Sequence, residues 1–289
     1  MNVSFLENLS QSTLKYEGTT FFIYKVENKE DPTHSFAIKS LNGLENNQEI
    51  IFFEKIANYD KKPQILPKYY GVCEGKFLDK QNAKHLIFDY YPNNLEDFIE
   101  NESNQEEILF SIAKIYEFYK CLIKGFAFLQ SIGVSHGGIK PKRLLFDENY
   151  QNIYISGFNQ SVFIDDKKKE EIIKDDVFSF GLVLLGLGSL NFLEEGSKKI
   201  GKKIEESIEK FKKRYELSLK NSALRRKFDF LLASLEQCLN MENKERPDFK
   251  TLFLNLLNED NEEFINCVCN HQKSQDPLTF SYKNSGIAL

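Results

Sequence analysis

An abrupt change of pattern near Pro92 constrains the fold more than any other feature of the sequence. Before it, segments rich in β-branched and aromatic residues, such as Thr19–Val26 and His34–Ser40, are separated by turn-forming residues, which predicts antiparallel strands. Residues 46–59 carry apolar side chains at helical spacing instead. We therefore expect a small sheet with one helix in this part of the chain.

After Pro92 the pattern becomes helical. Residues 108–132 predict one long helix that ends at Gly133, and Phe180–Leu190 is apolar on all sides, which predicts a helix buried on every face. Short strands are expected at 144–146 and 152–156. The fold class predicted is α+β, with a β-rich region at 1–91, a helical region at 92–258 and a tail at 259–289.

Composition excludes several classes of protein. Apolar residues make up 41% and charged residues 28% of the chain, as in ordinary globular proteins, and the net charge of −5 argues against nucleic acid as a partner. Five cysteines cannot all pair within one chain, and no secretory signal is evident. The longest uncharged apolar run, 178–193, is too short for a membrane span. We expect a reduced, cytoplasmic protein.

Six segments resemble, in order, the signature set of the eukaryotic protein kinases. They are Phe36–Lys39 (the lysine strand), Glu49–Phe53 (the glutamate-bearing helix), His85–Tyr91 (the fifth strand and hinge, with Phe88 as gatekeeper), Ser135–Pro141 (the catalytic loop), Asp176–Gly181 (the central buried helix) and Arg246–Pro247 (the late Arg-Pro pair). The resemblance covers about residues 14–257. It implies a bilobal protein-kinase-like fold, with a small β-rich N-lobe and a larger helical C-lobe.

Three departures from the family pattern fall on the residues that would carry out phosphoryl transfer. The resemblance places the catalytic base at Gly138, one metal-binding asparagine at Arg143, and the metal-binding aspartate at Gly157. Without these groups nothing takes the substrate proton or holds the ions that neutralise the phosphate oxygens. Arg143 would repel a divalent cation. No other carboxylate clearly replaces them, and Asp147, Asp165 and Asp166 are interpreted as solvated turn residues.

The nucleotide-binding features are also incomplete. Of the family's glycine-rich loop only Gly18 remains, and Tyr16 and Phe21 would crowd the backbone approach to phosphates. Lys39 and Glu49 survive as a pair. They form either a vestigial ATP site that needs no metal or a structural ion pair that fastens the helix to the sheet.

The segment between residues 159 and 175 is short and lacks the family's A-P-E motif. Arg246, which pairs with that motif's glutamate in the family, therefore needs another partner, such as Glu170 or Glu171. Asp176 is expected to hydrogen-bond the catalytic-loop backbone. We interpret His136 as a core-packing residue. Gly137 and Gly138 form either a functional hinge or, as we prefer, part of a loop that lost a side chain no longer needed.

Two further segments leave alternatives open. Cys267, Cys269 and His271 offer three soft ligands, one fewer than a structural zinc site needs, and are interpreted as coincidental, with no metal predicted. Residues 197–217 place isoleucines on one helical face, which either binds a partner or packs within the chain's own helical region.

The function predicted is that of a catalytically inactive pseudokinase, acting as a protein-interaction or scaffold module without a cofactor. Two alternatives remain, a metal-independent nucleotide-binding sensor and a slow atypical Ser/Thr protein kinase. The expected partners are proteins, with neither nucleic acid nor a membrane span. Attachment to a cytoskeletal or ciliary assembly is a hypothesis that no particular residue supports.

Overall fold

The computed structural model describes residues 9–17, 21–29, 31, 33–41, 47–57, 59, 63–78, 80–102, 111–164, 169–193, 200–216, 218–220 and 222–260. By their contacts these residues form two units. The β-rich unit contains the described residues up to 59 together with Leu66–Pro92, and the helical unit contains Pro63–Ile65 and the described residues from 93 to 260.

The β-rich unit is a five-stranded antiparallel sheet with one helix. Its elements are β1 (Leu9–Glu17), β2 (Phe21–Asn28), β3 (Ser35–Leu41), α1 (Gln48–Ala57), β4 (Tyr69–Phe77) and β5 (Lys80–Asp89). The strands lie in the order β1-β2-β3-β5-β4. Two apolar clusters stabilise the sheet, one around Val26 and Ile38 and the other around Phe36 and Ile87. The predicted sheet and helix are confirmed, whereas β1 was not predicted as a strand.

The helical unit begins directly after Pro92. Its elements are β6 (Asn93–Asn94), α2 (Leu95–Glu102), α3 (Ile112–Ser131), β7 (Val134–Ser135), β8 (Leu144–Phe146), β9 (Ile153–Ile155), β10 (Val162–Phe163), α4 (Lys169–Ser189), α5 (Ile200–Tyr215), α6 (Ser222–Cys238) and α7 (Phe249–Asp260). Short 3-10 turns at Pro141–Arg143 and Phe158–Gln160 follow β7 and β9 along the chain. These short strands and turns carry the residues of the predicted catalytic loop.

Aromatic packing holds the long helices of this unit together. Phe126 of α3 lies 5.8 Å, between ring centroids, from Phe180 of α4 and 4.9 Å from Phe249 of α7. Residues 180–189 of α4 are all buried, which confirms the predicted enclosure of this stretch, whereas Glu170 and Asp175 nearer the start of the helix are exposed. The enclosed stretch provides a rigid base for Asp176, which binds the loop residues from the N-terminal half of the helix.

Helix α5 resolves one of the alternatives left by the sequence. Its apolar residues Ile204, Phe211 and Tyr215 are buried, and the Phe211 ring packs 5.2 Å from that of Phe228 on α6. The apolar face of this helix therefore packs within the chain's own helical unit, so of the two alternatives the one that places it there is confirmed for these residues.

An antiparallel sheet with a helix, followed by a largely helical region, confirms the α+β class and is consistent with a bilobal kinase-like fold. In the part of the chain that the structure describes, no helix combines the length and apolar character required to cross a bilayer. The tail beyond Asp260, with Cys267, Cys269 and His271, lies outside the described residues.

Candidate functional site

The structure brings Gly138, Arg143 and Gly157 together in the helical unit. Gly138 follows β7, Arg143 ends the turn Pro141–Arg143, and Gly157 follows β9. The backbone of Arg143 is held against the end of β9, because its carbonyl oxygen accepts hydrogen bonds from Ser156 N at 2.8 Å and Ser156 Oγ at 2.9 Å. The three positions where the kinase pattern is broken are therefore neighbours in space.

The Arg143 side chain lies across both glycines. Its Nη1 donates a hydrogen bond to the carbonyl oxygen of Gly138 at 2.9 Å, and its Nη2 donates to Oε1 of Gln160 at 2.8 Å. These two bonds fix the planar guanidinium in one orientation. The volume next to Gly138 is thus filled by a cation that the chain's own backbone and Gln160 hold in place.

Neither glycine has room for a side chain while Arg143 keeps this position. A Cβ atom on Gly138 would lie 2.0 Å from Arg143 Nη1, and one on Gly157 would lie 2.7 Å from Arg143 Cδ. Gly157 also has φ of +80°, a conformation that L side chains rarely adopt. A side chain at residue 138 would displace the ends of the Arg143 and Gln160 side chains, so glycine there allows Arg143 to keep its hydrogen bond to the carbonyl oxygen of Gly138. The interpretation that residue 138 lost an unneeded side chain stays a prediction.

The turn that carries Arg143 is strongly basic. Lys140 and Lys142 flank Pro141, and Lys142 Nζ lies 2.9 Å from Glu96 Oε2. The pKa of the Lys140 ammonium is lowered, first by partial burial and then by the positive charges of Arg143 and Lys142. The turn therefore brings three cationic side chains together, and an arrangement of like positive charges disfavours divalent metal ions.

Among the described residues, no three His, Cys, Asp or Glu side chains lie close enough together to hold a metal ion. Asp147, one of the carboxylates considered above, is used locally. It accepts hydrogen bonds from the backbone N of Gln151 at 2.7 Å and from Asn152 Nδ2 at 2.7 Å, which confirms it as a turn residue. Asp165 and Asp166 lie outside the described residues.

Asp176 of α4 binds the loop that follows β7. Its carboxylate accepts hydrogen bonds from Ser135 Oγ at 2.5 Å, from His136 N at 2.7 Å and from Gly137 N at 3.0 Å. Burial raises its pKa to about 6 although these three donors act in the opposite direction. The predicted role of Asp176, binding the backbone of the loop, is confirmed.

His136 belongs to the core. Its side chain is buried, with ring centroids 4.8 Å from Phe158 and 6.2 Å from Phe126. Nε2 donates a hydrogen bond to the carbonyl oxygen of Ser156 at 2.9 Å, and burial lowers the pKa of the imidazole to about 4. A histidine that stays neutral and enclosed in this way packs the core, as predicted.

In the β-rich unit, Lys39 of β3 and Glu49 of α1 form a buried ion pair, with 6% and 3% of their respective surfaces exposed. The ammonium also lies 3.9 Å from the centroid of the Phe21 ring, and that ring stacks on Tyr16 with centroids 5.2 Å apart. Sequence reasoning expected Tyr16 and Phe21 to crowd a phosphate, but it missed that Phe21 covers the lysine itself. Gly18 lies outside the described residues.

Phe88, at the predicted gatekeeper position, belongs to an aromatic cluster in the same unit. Its ring lies 5.0 Å from that of Phe53 and 5.3 Å from that of Tyr69. Burial raises the pKa of the Tyr69 hydroxyl to about 12. Phe88 itself is only 9% exposed. At this position the β-rich unit presents packed aromatic rings.

The prediction for Arg246 named the wrong carboxylates. Arg246 Nη1 lies 3.4 Å from Asp175 Oδ1, and its Nε donates to the carbonyl oxygen of Asn240 at 2.8 Å. The guanidinium also packs 4.4 Å above the Phe178 ring. Glu170, one of the two predicted partners, pairs with Lys174 one helical turn away at 2.7 Å. The sequence distance between Arg246 and residues 170–175 gave no means to choose among these carboxylates.

Comparisons with known proteins find a partial likeness. No family model matches the chain. A curated relative, the probable inactive leucine-rich repeat receptor kinase XIAO of Oryza sativa subsp. japonica, is 33% identical over 71 residues. The matched stretch is 24% of this chain and 6% of that protein, so the chain spans a small part of its length. Over this stretch the chain is similar to a kinase described as inactive, and the order of its elements, sheet before helices, is kinase-like.

Proposed function

We propose that this chain is a pseudokinase, a kinase-shaped protein-binding module that does not transfer phosphate. The observation that carries the proposal is the packing of Arg143 across Gly138 and Gly157. In the resemblance drawn above, these three positions would supply the base and both metal ligands. One cation fills the space that two carboxylates would need, so restoring either carboxylate alone would create a steric overlap and would not restore catalysis.

The expected rate losses favour a complete absence of phosphoryl transfer rather than a slow residual activity. Loss of a general base alone costs about 10²- to 10⁴-fold in rate. Loss of the metal ions removes the charge stabilisation on which phosphoryl transfer mainly depends. A guanidinium at the metal position adds repulsion, because the Mg²⁺ ions that accompany ATP would approach a fixed positive charge.

One observation favours a second candidate, a nucleotide-binding sensor. Lys39 and Glu49 form the ion pair that a phosphate-binding lysine would need. Against it stands the Phe21 ring, which covers the ammonium that a phosphate would have to reach. We therefore rank a structural role for this pair above nucleotide binding. Protein partners and a cytoplasmic location remain part of the proposal.

The test is a thermal-shift titration of the full chain with ATP, with and without Mg²⁺, alongside a phosphotransfer assay on a generic protein substrate. A nucleotide at a hundred times its dissociation constant would stabilise the fold by about 2.7 kcal/mol, which is several degrees. We expect no shift at millimolar ATP and no transfer above background.

Each contrary result has a distinct meaning. A shift without Mg²⁺ would support the sensor. Transfer that requires Mg²⁺ and disappears in a Lys39→Ala variant that still folds would establish an enzyme and contradict the proposal. A triple variant tests the assignment of these three positions. Gly138→Asp, Arg143→Asn, Gly157→Asp removes the arginine together with both glycines and is expected to gain Mg²⁺ binding.

A further inference from the structure

We propose that a cavity between the end of α4 and helix α5 binds a partner segment that carries acidic side chains beside an apolar one. The cavity has a volume of about 500 Å³ and opens to solvent, and this size is typical of ligand-binding clefts. One wall is formed by residues 191–193, and the other by the polar face of α5 with Lys203, Ser207 and Lys210. The inference rests on the proposed function, because it names the kind of partner that a protein-binding module would take here.

The first wall is held in a fixed shape against α4. Leu190, directly after the helix, has φ of +51°, a left-handed conformation that leucine rarely adopts. Ser189 Oγ lies 3.4 Å from the carbonyl oxygen of Asn191. A Cβ atom on Gly186 would lie 2.1 Å from Phe192 Cδ1, so the Phe192 ring rests directly on the backbone of α4. The wall is therefore formed in advance, and binding would not require it to be ordered first.

The second wall is basic. Lys203 and Lys210 are exposed and lie on one face of α5, about 10 Å apart along the helix axis, with Ser207 between them. Among the residues that the structure describes, neither of these two ammonium groups forms an ion pair. Both are therefore available to an anionic partner.

One carboxylate belongs to the same lining. Glu206 Oε1 lies 3.7 Å from Nζ of Lys202, so a neighbouring lysine offsets its charge. Residues 194–199, which lie outside the described part of the chain, contain two glutamates and two lysines and carry no net charge. The lining thus keeps an excess of positive charge, which favours an acidic partner over a basic one.

The spacing of the groups in the cavity favours an extended peptide. Side chains two or three residues apart in an extended segment are separated by about 7–10 Å, which matches the separation of the two lysines along α5. Phe192 and Leu193 offer an apolar surface in the same cavity, and the Asn191 amide and the Ser207 hydroxyl can hydrogen-bond to a peptide backbone. The partner segment specified by this arrangement has two acidic residues on either side of an apolar one.

The experiment selects a library of random short peptides against the full chain at low ionic strength. We expect enrichment of peptides that place two acidic residues around an apolar one. An enriched peptide is then synthesised, and its affinity is compared by fluorescence anisotropy with that of a counterpart in which amides replace the carboxylates. The counterpart should bind about tenfold more weakly or less. High salt should weaken the acidic peptide, because the Debye length falls from about 10 Å near 0.1 M to about 3 Å near 1 M.

Matched variants locate the binding site. Lys203→Glu and Lys210→Glu change exposed residues that have no ion pair to lose, and each should weaken binding by about tenfold or more. Leu193→Ser tests the apolar wall and should weaken binding without changing its salt dependence. Lys250→Glu makes the same charge change at an exposed position of α7 and should leave binding unchanged. Circular dichroism checks that each variant keeps the fold.

A loss of binding in either cavity variant, Lys203→Glu or Lys210→Glu, that is absent from Lys250→Glu supports the inference. Failure to enrich acidic and apolar peptides overturns it, and so do equal affinities in all three lysine variants. Transfer of phosphate from Mg-ATP would contradict the proposed function instead, and the phosphotransfer assay detects it independently of peptide binding at this cavity.

Discussion

The ion pair of the β-rich unit and the basic turn of the helical unit differ in opposite ways from the kinase pattern that the sequence resembles. Lys39 and Glu49 match that pattern, yet the pair is buried and covered by Phe21. Gly138, Arg143 and Gly157 depart from it, yet they form an ordered and packed arrangement. A match to a sequence pattern therefore does not by itself show that a group is accessible for chemistry, and a departure from it does not show that a loop is disordered.

The largest expected effect comes from breaking the buried ion pair. Glu49→Ala leaves the Lys39 ammonium buried without its partner, which should lower the free energy of unfolding by about 3–5 kcal/mol. Because the chain lacks tryptophan, unfolding in urea is best followed by circular dichroism. The double variant Lys39→Met, Glu49→Leu should lose far less.

The matched control is the exposed pair Lys202–Glu206, whose side chains are 75% and 59% exposed. Lys202→Ala should change stability by about 1 kcal/mol or less. If Glu49→Ala lowered the free energy of unfolding as little as this surface variant, the Lys39–Glu49 pair would not stabilise the fold. Its presence would then favour the nucleotide sensor.

The second effect tests the coupling of the glycines to Arg143. Gly138→Ala places a Cβ 2.0 Å from Nη1 of Arg143, so the guanidinium must shift and lose its hydrogen bond to the carbonyl oxygen of residue 138, which should cost about 0.5–1.5 kcal/mol. The cost should shrink in an Arg143→Ala background, measured as a double-mutant cycle. Gly201→Ala on α5, where a Cβ meets nothing within 4 Å, should be neutral or slightly stabilising. Additivity of the first two substitutions would contradict the shared packing.

The third effect concerns the pH dependence of the helical unit. The pKa of His136 falls from 6.5 to about 4 on burial, so the unfolded chain takes up a proton at higher pH than the folded one. The stability that neutral His136 contributes is present above pH 6.5 and is lost as the pH falls towards 4, at up to about 1.4 kcal/mol per pH unit. A His136→Gln variant should lack this slope.

The contribution of Asp176 to stability has the opposite pH dependence over part of the same pH range. Its pKa is raised to about 6, so the stability it contributes is present below its unfolded pKa near 3.8 and is lost as the pH rises through 6. For this reason the measurement is the difference between the stability curves of wild type and His136→Gln, in which the Asp176 contribution cancels. A flat difference between pH 4.5 and 6.5 would show that His136 titrates normally.

The smallest effect tests the cover over Lys39. Phe21→Leu keeps an apolar side chain but removes the aromatic ring, so stability should fall by the value of a cation–π contact, about 0.5–1 kcal/mol. The same variant is then titrated with ATP. A gain of nucleotide binding on this substitution would mean that the ring excludes a ligand from a competent site, which would sharpen the contrast between the two regions.

Local patterns were sufficient for much of the fold. The sheet follows from β-branched and aromatic segments between turn residues, the long helix α3 from its helical pattern, and the buried stretch 180–189 of α4 from an apolar character on all sides. Residues in short loops were harder to place. The partner of Arg246 was misassigned because Asp175, Glu170 and Glu171 are close in sequence and are distinguished only by which one faces the guanidinium.

By itself the sequence determined which chemical groups the chain possesses, and so which it lacks: glycine at positions 138 and 157 and an arginine at 143 rule out carboxylates there whatever the fold. Only the tertiary structure decided that these three departures are one arrangement, and that the surviving lysine lies under an aromatic ring. The physical reason is that residue identity is a local property, whereas excluded volume and burial depend on side chains that are distant along the chain and adjacent in space.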